Sequence, residues 1–317
     1  MPSSPSPRCH PDGPIRSRWL APLGVWAVLV SVMVAACSST TTGGMVGADR
    51  SQFLLVSAED MNRGAAIAYA QTLGQAREKS ALNVDARQTV RIRRIAARLI
   101  PQTAVFRTDA TRWSWEVNVL ASSEVNAWCM PGGKIAVYTG ILDQLKLTDD
   151  EAAAVMGHEI AHALREHSRE RASQQAASQA VLGVAAAAIG LGGIGQSLAG
   201  TVAKVTFELP NSRLQETEAD RMGVELSARA GFDPAAAITL WQKMGRLGGQ
   251  KQPQILSTHP SDDSRMADLA VYAQRVQPLY QAARAGMTVP PSPSSPAAAA
   301  VPGVPAPRLP AAASPGT

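Results

Sequence analysis

The chain has 317 residues, 45% of them hydrophobic, and a formal net charge of +5 at pH 7. A positive charge this mild indicates no nucleic-acid partner. The three cysteines form no C-x-x-C pair, and this excludes a thiolate-rich structural zinc site. They are Cys9, Cys37 and Cys129.

The N-terminus has the layout of a secretory signal peptide. An apolar run at 19–36 contains no charge, and the basic residues before it are Arg8, Arg16 and Arg18. The run is nearly long enough to span a bilayer, so an uncleaved transmembrane anchor is the competing interpretation. The small residues at its end and the Ser/Thr/Gly-rich stretch after it favour cleavage. We therefore predict a lipoprotein signal peptide over 1–36.

Cys37 is predicted to carry a lipid anchor. It ends the run Val34-Ala35-Ala36-Cys37, which resembles a bacterial lipobox, whose cysteine is acylated and becomes the first residue of the mature protein. Ser38 follows in place of the aspartate that is associated with retention in the inner membrane. Several acyl chains would make the anchoring stable. The predicted location is the periplasmic face of the outer membrane.

Composition divides the rest of the chain into three parts. Residues 37–50 are rich in Ser, Thr and Gly and are predicted to form a lipidated, flexible linker. Residues 51–286 have the length of one domain. Residues 287–317 consist almost entirely of Pro, Ala, Ser and Gly, so we expect a disordered tail that cannot bury a core.

The periodicity of the apolar residues predicts a mostly helical α+β domain with one small β-sheet. Helical patterns occupy 50–78, 84–100, 148–175, 211–230, 234–247 and 262–285. Strand-like alternation appears at 112–120 and 134–138. Cys129 is expected to be a partly buried strand residue rather than a reactive thiol.

The run His158-Glu159-Ile160-Ala161-His162 lies inside one of these helices. Positions i and i+4 share a helix face, so both imidazoles can bind one Zn²⁺, with Glu159 placed to act on a metal-bound water. Thr148 and Glu151 form a capping box that starts the helix about two and a half turns before His158. A polar helix face is the alternative, but an apolar helix interior is an unusual place for unsatisfied His and Glu.

His167 follows His162 by five residues. On an ideal helix this turns it about 140° away from His158, so a solvated side chain is expected. A charge-free stretch at 176–203 comes next. Its glycines near 190–195 indicate two short helices, packed as a hairpin beside the site, rather than one span of a bilayer. A mobile lid or a membrane contact are the alternatives.

A third metal ligand is expected to be a carboxylate, because two histidines, one acid and an open position for water are typical of catalytic zinc sites. Glu216 and Asp220 stand at i and i+4, so one can reach the metal while the other accepts the free ring N–H of a histidine ligand. For either acid alone, a solvated helix face is the competing interpretation. Glu218 points about 200° away from Glu216 and is not expected to face the metal.

Four separated motifs resemble those of peptidase family M48, in that family's order and over about 50–275. They are Asn126-Ala127 with Pro131-Gly132-Gly133 and Tyr138-Thr139-Gly140, then Gly157-His158-Glu159-Ile160-Ala161-His162, then Ser212-Arg213 with Glu216 and Ala219-Asp220, and finally Thr258-His259-Pro260. The resemblance is to the soluble lipoprotein branch, because the membrane-spanning insertions of other members are missing. It implies a zincin-like metallopeptidase domain with one Zn²⁺ per subunit.

The resemblance also implies a role for each site residue. The zinc ligands would be His158, His162 and Glu216. Glu159 would be the general base, Asp220 the acid that supports a histidine ligand, and His259 a donor to the transition state. On the residues alone, His259 is equally a histidine of the loop before a helix cap, held extended by Pro260.

The resemblance further implies a substrate-binding edge strand beside the metal, at Asn126 and Ala127 and again at Gly132 and Gly133. Such a strand holds an extended peptide through main-chain hydrogen bonds, and the glycines would allow close backbone approach. On the residues alone, 131–133 also fits an ordinary hairpin turn, and the two interpretations are compatible.

Together these features predict a zinc-dependent endopeptidase that hydrolyses peptide bonds of misfolded or misassembled envelope proteins. One alternative is a periplasmic chaperone or assembly factor that holds outer-membrane proteins in the same cleft. Another is a structural lipoprotein that zinc stabilises and chelation would unfold. The expected partners are unfolded or misassembled envelope polypeptides and the lipid membrane, with no nucleic acid.

Overall fold

The structure is a computed structural model that describes residues 37–188, 197–247, 254–260 and 263–287. The predicted signal peptide at 1–36 and the tail beyond 287 lie outside the described residues. In the part of the chain that is described, no helix combines the length and the apolar character needed to cross a membrane.

Helices dominate the described residues, and the prediction of a mostly helical α+β fold is confirmed. The helices are α1 (Ala58–Glu78), α2 (Ala86–Leu99), α3 (Thr139–Gln144), α4 (Asp149–Leu164), α5 (His167–Ala188), α6 (Leu198–Phe207), α7 (Arg213–Arg229), α8 (Ala236–Arg246), α9 (Gln254–Thr258), α10 (Asp263–Arg275) and α11 (Gln277–Arg284). The strands are β1 (Cys37–Ser38), β2 (Gln52–Phe53), β3 (Glu116–Leu120), β4 (Ala127–Met130) and β5 (Lys134–Tyr138).

The larger sheet has the order β3-β5-β4, with β3 parallel and β4 antiparallel to the central strand β5. The register pairs Glu116 with Lys134 and Ala127 with Val137. Strand β3 begins later than the alternation from 112 predicts, because the residues before it include a short 3-10 helix, Ala110–Arg112. Since β5 is central, β4 is an edge strand of this sheet.

Helix α4 carries the His-Glu-x-x-His motif through the hydrophobic core, and all its residues from Glu151 to Leu164 are buried. The predicted capping box is confirmed: Glu151 N donates to Thr148 Oγ1 at 3.2 Å, and Thr148 N donates to Glu151 Oε2 at 2.9 Å. These bonds satisfy amide groups that the first helical turn leaves free. The helix start is therefore fixed by local sequence.

Helices α4 and α7 touch backbone to backbone at two glycines. A Cβ added to Gly157 would lie 2.8 Å from the carbonyl oxygen of Gly223, and one added to Gly223 would lie 2.7 Å from His158 N. Any larger side chain at either position would force the helices apart. This contact sets the motif of α4 directly against the acidic face of α7.

The predicted helix at 148–175 is interrupted. Helix α4 ends at Leu164 and α5 begins at His167. Between them Glu166 adopts the left-handed conformation, with φ of 50°, which continues no right-handed helix. Its carboxylate accepts from Arg107 at 2.6 Å, and it also pairs with Arg169. These contacts stabilise the turn. The sequence pattern, which is helical throughout, gives no sign of it.

Residues 37–50 differ from the flexible linker that their composition predicts. Val46 and Ala48 are buried in the main hydrophobic cluster, and Thr42 N donates to the carbonyl of Phe106 at 2.9 Å. Strand β1 also pairs with β2. The few apolar residues of the segment pack into the core. Polar groups elsewhere in the domain form hydrogen bonds with the backbone and hydroxyl groups of the segment. We call residues 37–56 the N-terminal segment.

The charge-free stretch lies partly outside the described residues, because 189–196 is not described. On either side of this gap, α5 ends at Ala188 and α6 begins at Leu198. Helix α6 packs closely on α1, where a Cβ on Gly64 would lie 2.8 Å from the carbonyl oxygen of Leu198. The part of the stretch that is described is thus mostly helical, and its second helix, α6, packs against the domain.

Candidate metal centre

Four buried side chains bring metal-binding atoms together between α4 and α7. They are His158, His162, Glu216 and His259, and we call them the four-residue cluster. His158 Nε2 lies 3.0 Å from His162 Nε2 and 3.2 Å from His259 Nδ1. Glu216 Oε1 lies 3.4 Å from His162 Nε2 and 2.9 Å from His259 Nδ1. The three predicted ligands therefore converge, and His259 joins them.

The donor atoms of the cluster are better suited to coordinate a cation than to hydrogen-bond to one another. Two facing ring nitrogens can share only one proton, and here three ring nitrogens face each other and a carboxylate in a buried space. A cation among them would take a lone pair from each donor. Imidazole and carboxylate donors without a thiolate are also the set found in catalytic rather than structural metal sites. The residues therefore fit a divalent metal ion.

Asp220 lies behind His158, on the side away from the cluster. His158 Nδ1 is 3.0 Å from Asp220 Oδ1. Arg265 donates to both oxygens of Asp220, through Nε at 2.8 Å and Nη2 at 2.9 Å. The i, i+4 spacing on α7 thus directs Glu216 into the cluster and Asp220 to the far nitrogen of a histidine.

The expectation of a solvated His167 is wrong, because its ring is completely buried. His167 Nδ1 lies 2.8 Å from His162 Nδ1, and His167 Nε2 lies 3.1 Å from Glu218 Oε2. The angle of an ideal helix does not apply, since α4 ends at Leu164 and the chain turns at Glu166. Glu218 lies outside the four-residue cluster, in line with the expectation that it does not face the metal. It is nevertheless buried, and it is linked to His162 through His167.

Burial and neighbouring charges set the protonation states in the cluster. Burial raises the pKa of Glu216, but His259, His158 and His162 outweigh it and hold that pKa well below its usual value. Burial lowers the pKa of His162 well below its usual value, so this ring is neutral. Burial also lowers the pKa of His158, but Asp220 and Glu216 outweigh it and raise that pKa to about 10. His158 therefore holds a proton that a bound cation would displace.

Glu159 lies beside the cluster and is buried. Its Oε1 is 3.5 Å from His259 Nε2. Burial raises the pKa of Glu159 above its usual value, although His259 and His158 act in the opposite direction. A carboxylate with a raised pKa is a better proton acceptor, and it is suited to exchange protons with a bound molecule.

A pocket is lined both by residues of β4 and by residues of the motif helix. Asn126 and the strand residues Ala127, Trp128 and Cys129 form one wall, and Glu159, His162 and His259 contribute to the lining. Cys129 is buried, and burial raises the pKa of its thiol well above the usual value. The edge strand and the cluster therefore share one pocket.

Gly132 and Gly133, which are predicted to belong to the substrate strand, lie in the turn after β4 and are not among the residues that line this pocket. Both adopt positive φ angles, 76° and 81°, in the turn from β4 to β5. A Cβ on Gly133 would lie 2.6 Å from the ring of Trp115, so the glycine faces that indole. The hairpin-turn interpretation describes the conformation of these two residues.

Three further residues around the site are not predicted from the sequence: Asn211, Arg171 and Arg265. Asn211 Nδ2 donates to the carbonyl of Thr258 at 3.2 Å and lies 3.2 Å from His259 Nδ1. Arg171 lines the pocket, and Arg265 supports both acids of α7. The contacts that bring them to the site join distant positions: Arg171 to Val205, Asn211 to Thr258 and Arg265 to Asp220 are each at least 34 residues apart, so no local pattern signals these contacts.

Residues 86–273 match Peptidase family M48. The chain is 39% identical over 180 residues to mitochondrial metalloendopeptidase OMA1 of Arabidopsis thaliana, covering 55% of this chain and 35% of that protein. It is 26% identical over 242 residues to metalloprotease LoiP of Escherichia coli K12, covering 75% of this chain and 91% of LoiP.

A third similarity is to the beta-barrel assembly-enhancing protease of Escherichia coli K12, which is 31% identical over 176 residues. That match covers 51% of this chain and 35% of the relative. The chain spans between 32% and 49% of the length of four OMA1 proteins that it matches. The residues that match the family, 86–273, include the motif helix and α7.

Proposed function

Because this chain belongs to peptidase family M48, we propose that it is a zinc-dependent endopeptidase. The observation that carries this proposal is the convergence of His158, His162 and Glu216 beside a buried glutamate at a pocket walled by an edge strand. A peptidase needs each of these parts: a metal site, a proton carrier and a surface that holds a peptide extended.

Zinc is the ion we propose for the cluster. Neutral imidazole nitrogens and one carboxylate oxygen are ligands that Zn²⁺ takes in catalytic sites, and His158, His162 and Glu216 supply them. A bound zinc ion supplies Lewis-acid chemistry, which polarises carbonyl groups and makes water more acidic. Asp220 holds the far nitrogen of His158, which directs the other nitrogen to the cluster.

Glu159 is the proposed general base. It accepts a proton from the attacking water and returns it to the nitrogen of the leaving amine, so one carboxylate serves both halves of the reaction. Its raised pKa favours the first transfer, and its burial keeps bulk water from competing for the proton. Glu159 shares the pocket with β4, where a substrate would lie.

Strand β4 is the proposed substrate strand, with Asn126 and Ala127 at its start. An extended peptide beside an edge strand gains main-chain hydrogen bonds that ignore side-chain identity, and this suits an enzyme for unfolded polypeptides. Gly132 and Gly133 form the turn beyond the strand, so the proposal places the peptide along Asn126 and Ala127 instead.

His259 is proposed to donate to the oxygen on which negative charge develops. Its Nε2 lies on the same side as Glu159, at 3.5 Å from Oε1, which supports this role. Its Nδ1 lies inside the four-residue cluster, so a fourth metal ligand is the competing role. The zinc content and the turnover of a His259→Ala variant separate the two roles.

The proposed substrates are misfolded or misassembled envelope proteins, and the proposed location is the periplasmic face of the outer membrane, with Cys37 lipidated. Similarity to metalloprotease LoiP and to a beta-barrel assembly-enhancing protease supports this setting. The second of these names also favours the alternative function, a chaperone or assembly factor for outer-membrane proteins that uses the same cleft.

Cleavage of unfolded casein by the purified full-length protein in detergent tests the proposal. We expect zinc-dependent cleavage that a chelator stops, and a Glu159→Gln variant that binds zinc normally while kcat falls by about 10²- to 10⁴-fold. Glu59→Gln, which changes an exposed glutamate in α1, is the matched control. Full peptidase activity in Glu159→Gln would show that Glu159 is not the general base. Zinc binding without any cleavage by the wild type would favour the chaperone function.

A further inference from the structure

We propose that His167 and Glu218 form a relay that positions the metal ligand His162, and that Arg50 of the N-terminal segment completes this relay. The inference rests on the metal site of the proposed function and adds to it three residues outside the set of metal ligands. None of the three lines the pocket beside β4, so they are positioning residues that act through His162.

The relay is a continuous line of contacts that starts at His162. Its Nδ1 lies 2.8 Å from His167 Nδ1, and His167 Nε2 lies 3.1 Å from Glu218 Oε2. Arg165 Nη2 donates to Glu218 Oε1 at 2.8 Å, and Arg50 Nε donates to Glu218 Oε2 at 3.1 Å. The line therefore ends at a carboxylate held between two guanidinium groups.

A cation bound by His162 Nε2 would fix the direction of every proton in the relay. His162 Nε2 must present a lone pair to a cation, so the proton of its neutral ring sits on Nδ1. That N–H donates to the lone pair of His167 Nδ1, which leaves the proton of His167 on Nε2. This second N–H donates to Glu218, which is an acceptor only. A negative charge at Glu218 thus orients two rings and makes His162 Nε2 a stronger donor to a metal.

The inner part of the relay, from His162 to Glu218, is buried, whereas Arg50 at its end is partly exposed, with 24% of its side chain accessible. His167 and Arg165 are 0% exposed and Glu218 is 6% exposed. Water cannot replace a lost partner at such depth, so each member depends on its neighbour. The relay is also the counterpart of the contact behind the other motif histidine, where Asp220 lies 3.0 Å from His158 Nδ1. Both histidines are backed by a carboxylate of α7, one directly and one through a second ring.

Arg50 connects the relay to the start of the domain. Besides Glu218, it donates to both oxygens of Glu170, at 2.6 and 2.8 Å. Gln52 of β2 donates to the same Glu170 at 3.1 Å, and β2 pairs with β1. The residues that follow the predicted lipidation site therefore reach the metal ligand through a chain of charged contacts. Displacing this segment would remove one of the two guanidinium groups from Glu218.

Metal affinity tests the relay independently of turnover. The full-length protein in detergent is titrated with Zn²⁺ in competition with a chromophoric chelator, for the wild type, His167→Asn, Glu218→Gln, Arg50→Met and Arg50→Lys. Asp268→Asn is the matched control, because Asp268 is a carboxylate held by both nitrogens of Arg221, at 2.8 and 2.7 Å, and is not a member of the relay. Urea unfolding of the metal-free proteins reports any loss of stability separately.

We expect Glu218→Gln and His167→Asn to lower zinc affinity by about 10- to 100-fold, the range found when partners of metal-binding histidines are removed. Arg50→Met should lower it less, Arg50→Lys should restore it, and Asp268→Asn should match the wild type. Wild-type affinity in folded Glu218→Gln and His167→Asn overturns the relay while leaving the metal site intact. A wild type that binds no zinc overturns the proposed function as well.

Nitrogen NMR of the zinc-bound wild type decides the question if a variant fails to fold. The relay predicts a protonated Nδ1 on His162 and a protonated Nε2 on His167, with the Nε2 of His162 bound to the metal. A proton on Nδ1 of His167 would reverse the first hydrogen bond and overturn the proposal. Loss of the His162 Nδ1 signal in Arg50→Met, with recovery in Arg50→Lys, would assign the end of the relay to Arg50.

Discussion

Arg265 is in direct contact with Glu216: its Nη1 lies 2.9 Å from Oε2 of that carboxylate. The same guanidinium donates to both oxygens of Asp220, and its face lies 4.2 Å from the ring of Trp241. One arginine from α10 thus balances two buried acids of α7. The acid in the cluster and the acid behind it are held by the same charge.

Arg265→Gln should lower the free energy of unfolding of the metal-free protein by about 3–5 kcal/mol, because it leaves two buried carboxylates without their cation. Zinc should recover part of this loss, since its charge replaces the guanidinium. Urea unfolding with and without zinc measures both effects. Arg246→Gln, at an exposed position of α8, should change stability by less than about 0.5 kcal/mol. Equal stability of the Arg265 variant and the wild type would show that the two acids need no counter-charge.

His259→Ala should retain zinc and lose turnover. A donor that acts only on the developing oxyanion should change kcat by about 10²-fold or more and leave KM nearly unchanged. Casein cleavage and metal analysis of the same sample measure the two properties. Loss of zinc from the variant would make His259 a fourth ligand, and an unchanged kcat would make it a structural residue of the loop after α9.

Glu151→Gln should weaken the start of the motif helix in a pH-dependent way. Glu151 accepts from Lys243 Nζ at 2.7 Å as well as from Thr148 N. Burial raises the pKa of Glu151, but the hydrogen bonds from Lys243, Thr148 and Thr239 outweigh it and bring that pKa below the ordinary value of 4.5. We expect the variant to lose about 1–2 kcal/mol of unfolding free energy at pH 7.

The sign of the pH effect follows from the lowered pKa. A carboxylate with a depressed folded-state pKa stabilises the protein fully above its unfolded pKa, and this contribution disappears as pH falls through the folded value. The difference between wild type and Glu151→Gln should therefore be constant above about pH 5 and shrink below about pH 4. Urea unfolding at pH 7, 5, 4 and 3 measures it. A difference that persists unchanged at pH 3 contradicts the charged role of Glu151.

Cys37→Ala should block maturation if Cys37 is the acylated residue. We expect wild-type protein from a bacterial membrane fraction to begin at Cys37 with lipid attached, and the variant to keep all 317 residues and no lipid. Intact mass spectrometry measures both. Cys129→Ala, which removes the buried thiol, should mature normally. Wild-type protein with an intact N-terminus and no lipid rules out this anchor.

The parts of the site that the sequence predicts correctly depend on short-range geometry. The capping box of α4 spans Thr148 to Glu151, the two motif histidines are four residues apart, and so are Glu216 and Asp220. At such spacings the helix itself decides which side chains share a face. The mostly helical fold follows from the same periodicity.

The parts that the sequence does not predict depend on breaks in that geometry or on distant contacts. His167 is buried because the helix stops before it, and the stop depends on a left-handed Glu166 that Arg107 holds from 59 positions away. Arg265 and Asp220 are 45 positions apart. The N-terminal segment packs through a few isolated buried residues such as Val46. The average composition of the segment does not reveal them.

Gly157 and Gly223 have a consequence for the choice of ion. Because the two helices already touch at their backbones, they cannot move closer, and this contact limits how closely the ligands can approach one another. We therefore expect the protein to hold the donor atoms together before an ion binds. A metal site whose width is limited in this way does not distinguish between divalent ions of similar radius. Which of these ions binds then depends on the chemistry of the donor atoms and on the availability of each ion in the compartment.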